Sequence, residues 1–373
     1  MSGPSRLSHP HKPSGVPAPR PGDPGAVRAL FQPIERMKTG ETVGFEALAR
    51  LVVGDGLLPP AAFLTDLTAA DSADLFCAML DQAMGLLQSV STADFRPYVS
   101  VNVEPSLLMT PGFLDRVRSD LDRLGYQGDG SIVIELLESD QILDFAAIVE
   151  ALDAVKRLRI GVALDDVGSA YASLTYLREL PVDYIKLDQS FARRLGERPE
   201  DLHFTLSLLS LANGLGKRLI VEGVETDEIH DALRVLGVDL AQGYAIARPM
   251  PHEAVGPWLA ARHPRDRDPA PTCLLGAYAG HLKVIESCRV LIDQPLPIAW
   301  KEESKDPHAC SIGRYFDRHG THETPYGLAH KAFHTVMAAY DSDPTAWRRC
   351  ADHFRTTLTD AILTDVQAKE ACC

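Results

Sequence analysis

A short run of apolar and β-branched residues recurs along the chain from Val27 to about Arg262, and most of these runs precede a longer segment with helical spacing of apolar positions. Such alternation predicts a β/α domain. The runs are Val27–Ile34, Thr42–Leu48, Tyr98–Val103, Ser131–Leu137, Gly161–Val167, Tyr184–Leu187, Arg218–Val224 and Leu240–Ile246. Because eight β/α repeats commonly close on themselves, their number predicts a barrel.

The connection between the first two runs is too short for a parallel arrangement. Only Glu35 to Glu41 separate them, with Lys38-Thr39-Gly40 as a turn. A parallel crossover needs about a dozen residues or more, so we expect the first two strands to pair antiparallel. The predicted fold class is therefore α/β, a (β/α)8 TIM-like barrel with one antiparallel strand.

The chain of 373 residues is long enough for more than one domain, and its composition changes after Arg262. The segment 263–272 is polar and rich in proline, as is typical of a linker. Beyond it the spacing of apolar residues predicts a small all-α bundle of four helices. Those helices are Cys273–Gln294, Ala309–Phe316, Tyr326–Tyr340 and Thr345–Lys369. The chain thus divides into a disordered leader (1–25), the barrel (26–262), the linker (263–272) and the bundle (273–370).

Charge and composition exclude several classes of protein. The net charge of -14 repels a polyanion, which argues against a nucleic acid polymer as partner. No segment approaches the ~20 apolar residues that cross a bilayer, so membrane insertion is excluded. The seven cysteines lack the spacing of a disulfide framework, and the N-terminus lacks the apolar core of a signal peptide. We predict a cytoplasmic protein.

Acidic and amide side chains stand at or just past the ends of the predicted strands. Because the carboxyl ends of barrel strands converge on one rim, these groups should meet there. They are Glu46, Asn102, Glu135, Asp165, Asp166 and Glu222. Several carboxylates at one rim repel one another unless cations lie between them. Oxygen ligands without histidine or cysteine favour Mg²⁺ or Mn²⁺.

The adjacent aspartates Asp165 and Asp166 suit a two-metal hydrolase of phosphate esters, because one carboxylate can bridge two ions while its neighbour binds the second. Lys186, on a strand directed at the same rim, could hold the attacking water. Alternatively, Lys186 is the salt-bridge partner of Asp188, which we leave outside the catalytic set.

The order of these motifs resembles that of the EAL-domain cyclic-di-GMP phosphodiesterases over roughly Val27 to Ala260. The matching motifs are Phe31-Gln32-Pro33-Ile34, Phe45-Glu46-Ala47-Leu48-Ala49-Arg50, Ser100-Val101-Asn102, Asp165-Asp166, Ile185-Lys186-Leu187-Asp188, Glu222-Gly223-Val224-Glu225 and Gln242-Gly243-Tyr244. The resemblance implies a β/α barrel with one antiparallel strand. It also implies hydrolysis of cyclic di-GMP to linear pGpG with two divalent ions per site.

The resemblance further implies a role for each matching position. The first ion would be held by four residues, Glu46, Asn102, Glu135 and Asp165. Asp165 would bridge to a second ion held by Asp166 and Glu222, and Lys186 would orient the attacking water. Gln242 would touch the water shell of the second ion, while Gln32 and Arg50 would grip the dinucleotide. Glu138 resembles the glutamate that steadies the loop after the paired aspartates, which the family links to dimerisation.

Two points about the barrel stay open at the level of sequence. Glu222 is assigned to the metal first, although it could also accept a proton. A binding-only effector would keep the dinucleotide pocket without turnover, but such proteins typically lose metal or lysine positions. Because none of those positions is missing here, we favour the enzyme.

The C-terminal segment contains a second group of candidate ligands. His330 and His334 are spaced i, i+4 in a helix-like segment, which puts both imidazoles on one face. With His281 and Cys310 they would complete a tetrahedral zinc site of three histidines and one thiolate. His308 could replace His281 as a ligand. A helical dimerisation module without metal is the competing interpretation.

The order of these residues, with Cys310-Ser311-Ile312-Gly313-Arg314-Tyr315 before the histidine pair, resembles the zinc-binding CZB domain of chemoreceptors and some diguanylate cyclases. That resemblance implies a four-helix bundle with one zinc ion that modulates activity through a homodimer. It also implies possible docking to a chemosensory or cyclase partner. Cys310 could in addition act as an oxidation sensor.

Overall fold

The computed structural model describes residues 19–136, 144–168, 174–262, 270–290, 306–338 and 346–371. The predicted leader up to residue 18, Glu138 and residues 263–269 of the predicted linker lie outside the described residues. Within those ranges, no helix has the length and apolar character needed to cross a membrane.

Eight strands of the described residues close into a barrel, in the order β1, β9, β8, β7, β6, β5, β4, β2 and back to β1. Two short strands, β3 and β10, pair with β2 and β1 from outside this circle. The strands are β1 (Val27–Arg36), β2 (Glu41–Val53), β3 (Gly56–Leu58), β4 (Tyr98–Val103), β5 (Ile132–Leu136), β6 (Gly161–Val167), β7 (Tyr184–Leu187), β8 (Arg218–Val221), β9 (Leu240–Ala241) and β10 (Met250–Pro251). The predicted barrel is confirmed.

β1 runs antiparallel to both of its barrel neighbours, β2 and β9, whereas the other pairs in the circle are parallel. The short turn at 37–40 explains this, because it lets the chain reverse but not cross over. In the resulting register Gln32 lies opposite Glu46. The antiparallel pair therefore places an amide from β1 beside a carboxylate from β2.

The last two strands are shorter than the runs that predicted them. β8 ends at Val221, and Gly223 then takes a positive φ of 69° that ends the extended backbone. β9 ends at Ala241, and Gly243 lies so close to the Val224 backbone that a Cβ there would approach the Val224 carbonyl oxygen to 2.1 Å. Both runs therefore turn into loops at the rim, where the side chains after each strand can face the barrel axis.

The barrel helices pack apolar faces against the strands and form one continuous core with them. They are α1 (Ala69–Val90), α2 (Pro105–Leu108), α3 (Phe113–Leu124), α4 (Phe145–Arg157), α5 (Leu174–Glu179), α6 (Gln189–Arg193), α7 (Leu202–Gly214), α8 (Asp227–Leu236) and α9 (His252–Ala261). Local chemistry sets several of their ends. Thr68 and Asp71 form a reciprocal capping box at the start of α1, and Thr226 caps α8.

The described residues after 270 form four helices and no strand, as predicted. They are α10 (Leu274–Val290), α11 (Ser311–His319), α12 (Pro325–Ala338) and α13 (Ala346–Ala371). Apolar side chains from α10, α11 and α13, including Tyr278, Phe316 and Phe354, belong to the same core as the barrel residues. The bundle therefore packs directly on the barrel, and the exact domain boundary stays a prediction.

A buried aspartate on α8 joins the barrel to the bundle. Asp231 Oδ2 accepts hydrogen bonds from the backbone N–H groups of Thr272 (2.7 Å) and Cys273 (3.2 Å), at the start of α10. Its other oxygen accepts from Arg234 at 2.6 Å. A Cβ on Gly276 would lie 2.1 Å from Asp231 Oδ2, so this approach requires glycine. Asp231 thus caps a helix of the bundle from a helix of the barrel.

Replacing Asp231 with Ala should lower the free energy of unfolding by roughly 2–4 kcal/mol, because it leaves two helix-end N–H groups and a guanidinium without their buried acceptor. Urea unfolding of the full chain measures this loss. Asp153→Ala, which removes an exposed aspartate from α4, is the control and should change stability by less than about 0.5 kcal/mol. Equal stability of the two variants would contradict the capping role.

Candidate active site and metal centre

The polar residues singled out from the sequence meet at the carboxyl end of the barrel. Glu46 lies on β2, Asn102 on β4 and Glu135 on β5. Asp165 and Asp166 lie on β6, Lys186 on β7, Glu222 directly after β8 and Gln242 directly after β9. These parallel strands end at the same edge, so one rim gathers groups from distant parts of the sequence.

Lys186 is fully buried and lies among four carboxylates. Its Nζ is 2.6 Å from Glu135 Oε2 and 2.6 Å from Glu222 Oε1. Asp165 Oδ1 is 3.1 Å away and Glu46 Oε2 is 3.4 Å away. Burial alone would lower the pKa of this amine, but the surrounding carboxylates outweigh it and raise the pKa well above its usual value. Lys186 is therefore a permanent cation at the centre of the rim.

The alternative pairing of Lys186 with Asp188 is not what the described residues show. Asp188 Oδ1 instead accepts from the backbone N–H of Ser190 at 3.0 Å and caps α6. Its carboxylate also lies beside that of Asp166 and helps to raise the pKa of Asp166. Asp188 is thus a neighbour of the acidic cluster rather than the counterion of the lysine.

The rim carries more negative than positive charge. Five carboxylates, those of Glu46, Glu135, Asp165, Asp166 and Glu222, surround one ammonium group, which leaves four excess negative charges if all are ionised. Burial, with repulsion from neighbouring carboxylates, raises the pKa of Glu222 to about 8 and that of Asp166 to about 6. Additional cations would relieve this repulsion.

Glu46 differs from the other carboxylates. Burial works to raise its pKa, but Lys186 and the hydrogen bonds from Gln242 and Asn102 outweigh that effect, so its pKa is lowered. Asn102 Nδ2 donates to Glu46 Oε1 at 3.1 Å, and Gln242 Nε2 donates to Glu46 Oε2 at 2.7 Å. Glu46 is therefore held ionised and in one orientation.

The two adjacent aspartates face the same site because the strand is irregular there. Side chains of consecutive strand residues normally point to opposite faces. The pairing of β6 with β7 shifts between Leu164 and Val167, and Asp166 has a positive φ of 57°. This bulge turns Asp166 toward the rim beside Asp165. The left-handed backbone of a non-glycine residue at this position is consistent with a functional constraint.

The donor set fits divalent metal ions. Asp165, Asp166 and Glu222 each offer an oxygen within 4.8 Å of the others. At the same rim, Glu135 Oε1 is buried and has no hydrogen-bond partner among the described residues. An unpartnered buried carboxylate oxygen is costly in a protein but suits a metal ligand.

The predicted substrate-binding residues line the same end of the barrel. Gln242 Nε2 also donates to Gln32 Oε1 at 3.1 Å, and Gln32 Nε2 donates to the Ala247 carbonyl at 3.2 Å. Arg50 is partly exposed and bonds only its neighbour's carbonyl, Ala49 O, at 2.7 Å in the contacts described. A guanidinium in that position can turn toward a phosphate.

Two further residues at the rim, Tyr244 and Arg248, had no role assigned from the sequence. Tyr244, just after Gln242, is 45% exposed, and the guanidinium of Arg248 lies 4.2 Å from the centre of its ring. Burial lowers the pKa of the Arg50 guanidinium, and the nearby Tyr244 acts in the opposite direction. An exposed aromatic side chain directly after a strand was the available signal for Tyr244. Arg248 had none, because its position depends on the loop.

A second cluster lies in the bundle. Cys310 caps α11, and its Sγ accepts from the Gly313 N–H at 3.1 Å. The same sulfur is 3.3 Å from His330 Nε2, which is 3.1 Å from His334 Nε2. Burial, followed by the neighbouring His334, lowers the pKa of His330 to about 2, so the imidazole is neutral and can donate a lone pair. One thiol and two imidazoles thus converge.

His281, rather than His308, adjoins this cluster. With Cys310, His330 and His334 it lines a cavity of about 130 Å³. His281 Nε2 lies 2.9 Å from the Ala351 carbonyl oxygen and must carry a proton to bond it, which leaves Nδ1 unprotonated in the neutral ring. His308 lies elsewhere, against Asp317.

The chain is similar in sequence to known cyclic di-GMP phosphodiesterases. The chain is 33% identical over 233 residues to the cyclic di-GMP phosphodiesterase RocR of Pseudomonas aeruginosa, a match that covers 62% of this chain and 59% of RocR. It is 34% identical over 236 residues to the cyclic di-GMP phosphodiesterase PA2567 of the same organism, covering 62% of this chain and 39% of that protein. The chain thus matches little more than half of the first relative and less than half of the second.

The barrel also aligns with solved structures. PaMucR phosphodiesterase in complex with c-di-GMP aligns with a TM-score of 0.56 and 27% identity, covering 62% of this chain and 94% of that one. The family model for the EAL domain matches residues 24–249, more than half of the chain. Those residues contain the barrel and its acidic rim, and the chain belongs to the EAL domain family.

Proposed function

We propose that this chain is a metal-dependent phosphodiesterase that hydrolyses cyclic di-GMP to linear pGpG. The observation that carries the proposal is the buried Lys186 among four carboxylates, beside the paired aspartates Asp165 and Asp166. The names of RocR and PA2567 and the ligand of the PaMucR structure support the choice of substrate.

The rim residues divide into two sets of ligands that share Asp165. Glu46, Asn102, Glu135 and Asp165 would hold one Mg²⁺ or Mn²⁺ ion, and Asp165, Asp166 and Glu222 would hold a second. When bound, such ions polarise phosphoryl oxygens and lower the pKa of the attacking water.

The chain's own residues supply position and charge. Lys186, whose ammonium group is permanently charged, would orient the attacking water and offset negative charge that develops on the phosphoryl oxygens. Gln242 fixes Glu46 by a hydrogen bond, while Gln32 and Arg50 would bind the dinucleotide and align one phosphate for in-line attack. We assign Glu222 to the second ion first, although it could also accept a proton.

Turnover distinguishes this proposal from a binding-only effector. Incubation of the purified protein with cyclic di-GMP and Mg²⁺ should yield pGpG, resolved by liquid chromatography, and a chelator should stop the reaction. Tight binding of cyclic di-GMP without product in either Mg²⁺ or Mn²⁺ would favour the effector.

We also propose that the C-terminal helices form a CZB-like zinc-binding module in a cytoplasmic homodimer. His281 and Cys310 would join His330 and His334 around one zinc ion. The helix α10 connects this module to the barrel. It contains His281, and its Gly280 packs against Val235 of α8. Asp231 of α8 also caps the start of α10. α8 in turn follows the Glu222 loop, so zinc could influence the rim through these two helices. A chemosensory or cyclase partner could bind the same module.

The double variant His330→Ala, His334→Ala should lose the tightly held zinc. Only two of the four proposed ligands remain, and two ligands do not complete a tetrahedral site. Metal analysis after dialysis against a chelator measures the loss. His319→Ala, in the same bundle but bonded to Tyr315 O, should retain zinc. One zinc still held after that dialysis by the double variant would show that the ligand set is wrong.

Zinc should also change the rate of cyclic di-GMP conversion through Cys310. The test titrates buffered free zinc into the full chain in Mg²⁺ and repeats the titration with Cys310→Ala. Direct competition of zinc at the barrel is common to both proteins, so a difference between them reports on the cluster that contains Cys310. Identical responses would show that zinc at this cluster does not control turnover.

A further inference from the structure

A second group of ligand-type side chains lies on α11 and the loops that flank it. His308 Nδ1 is 2.7 Å from Asp317 Oδ1, and His322 Nε2 is 2.7 Å from the same oxygen. The two imidazole rings lie 4.3 Å apart between centroids. Two nitrogens from different loops thus converge on one carboxylate oxygen, and all three donor atoms lie within 4.8 Å of one another.

This arrangement is close to the ligand geometry of a metal site. Bonds of about 2.0–2.1 Å to a tetrahedral ion place neighbouring donor atoms roughly 3.4 Å apart. Each imidazole nitrogen would therefore need to move away from Asp317 Oδ1 by less than about 1 Å. His308 and Asp317 have side chains that are 49% and 44% exposed, so they have room for that movement, whereas His322 is held at 14% exposure.

The surrounding residues hold the group in place. The backbone N–H of His308 donates to Asp306 Oδ1 at 2.9 Å, which fixes the loop before α11. The ring of Phe316 lies edge-on to His322, with 5.9 Å between centroids, and edge-on to His330 on its other side, at 5.2 Å. Phe316 thus separates the group from the buried cluster of Cys310, His330 and His334.

We propose that His308, Asp317 and His322 form a second divalent metal site, open to solvent and suited to Zn²⁺. Two imidazoles and a carboxylate are a ligand set for zinc and related transition metals, and exposure leaves further coordination positions for water. The ion is exchangeable, in contrast to one held by a buried thiolate. Zn²⁺ binding at this site requires neither hydrolysis of cyclic di-GMP nor occupancy of the buried cluster.

Zinc binding by the full chain tests the proposal. Equilibrium dialysis with Zn²⁺, in excess Mg²⁺, should show that the variant His308→Ala, His322→Ala binds one equivalent less than the unmodified chain. His353→Ala, which removes an exposed histidine from α13, should bind as much as the unmodified chain. Asp317→Asn keeps the size of the side chain and should lower the Zn²⁺ affinity of the site formed by His308, Asp317 and His322 at least about tenfold.

Cobalt spectroscopy distinguishes the two sites. Co²⁺ bound by Cys310 gives thiolate-to-metal charge transfer in the near ultraviolet, whereas Co²⁺ on His308, Asp317 and His322 gives only visible bands. The variant His308→Ala, His322→Ala should keep the charge-transfer band and lose the visible bands of the His308, Asp317 and His322 site. Cys310→Ala should lose the charge-transfer band and keep those visible bands. A charge-transfer band missing from the unmodified chain would refute only the buried site.

Unchanged Zn²⁺ stoichiometry in His308→Ala, His322→Ala would overturn the proposal. If circular dichroism shows that this variant does not fold, Asp317→Asn decides the question. An Asp317→Asn chain that binds Zn²⁺ with unchanged affinity at every site would then overturn it.

Discussion

Asp165→Asn is expected to reduce hydrolysis of cyclic di-GMP by at least about a thousandfold while leaving the barrel folded. Asp165 is the residue shared by both proposed sets of metal ligands, so the change weakens the binding of both ions. The ions then contribute less to lowering the activation barrier, an effect of several kcal/mol. Asparagine has nearly the same size, and the loss of one negative charge relieves repulsion among buried carboxylates. Rates of pGpG formation and thermal unfolding in chelator measure the two effects.

Asp122→Asn provides the control for this change, because Asp122 is an exposed aspartate on α3, outside the rim. It should hydrolyse cyclic di-GMP at the unmodified rate. Turnover by Asp165→Asn within tenfold of the control would remove Asp165 from the catalytic site. A chain that fails to fold would instead show that the carboxylate is needed for stability.

Lys186→Met should destabilise the protein by about 3–5 kcal/mol in chelator, because it leaves four buried carboxylates without their counterion. Mg²⁺ or Mn²⁺ should restore much of this stability, since the ions can replace the lost positive charge among the same oxygens. The unmodified chain should gain less from the ions. Thermal unfolding with and without divalent ions measures the difference.

Lys217→Met is the matched control. Lys217 is also a buried lysine of the barrel, but its Nζ donates to the backbone carbonyls of Leu180 and Val182 rather than to carboxylates. It should lose stability without any gain in sensitivity to Mg²⁺. Equal stability of Lys186→Met and the unmodified chain in chelator would contradict the role of Lys186 as counterion of the rim carboxylates. An equal response of both variants to Mg²⁺ would contradict it as well.

The position of the rim was predictable because it depends on short-range patterns. A connection of seven residues forced β1 and β2 to pair antiparallel, and acidic residues at the ends of parallel strands had to meet at one edge. The i, i+4 spacing of His330 and His334 likewise put both rings on one helix face, where Cys310 reaches them.

Features that depend on tertiary packing were not predictable. The turn of Asp166 toward the rim requires a bulge and a left-handed backbone that strand alternation does not indicate. The cap that Asp231 gives to α10 joins residues some forty positions apart in sequence. Similarly, the sequence favoured His281 as a zinc ligand but left His308 as a possible replacement, and only packing places His281 in the cavity and His308 beside Asp317.

The most direct test of the central claim is chromatography of cyclic di-GMP after incubation with excess unmodified protein in Mg²⁺, beside Asp165→Asn at the same concentration. We expect complete conversion to linear pGpG by the unmodified chain, none with chelator, and almost none by the variant. Intact cyclic di-GMP after prolonged incubation with folded, unmodified protein in Mg²⁺ and in Mn²⁺ would contradict the assignment of this rim as a hydrolytic site.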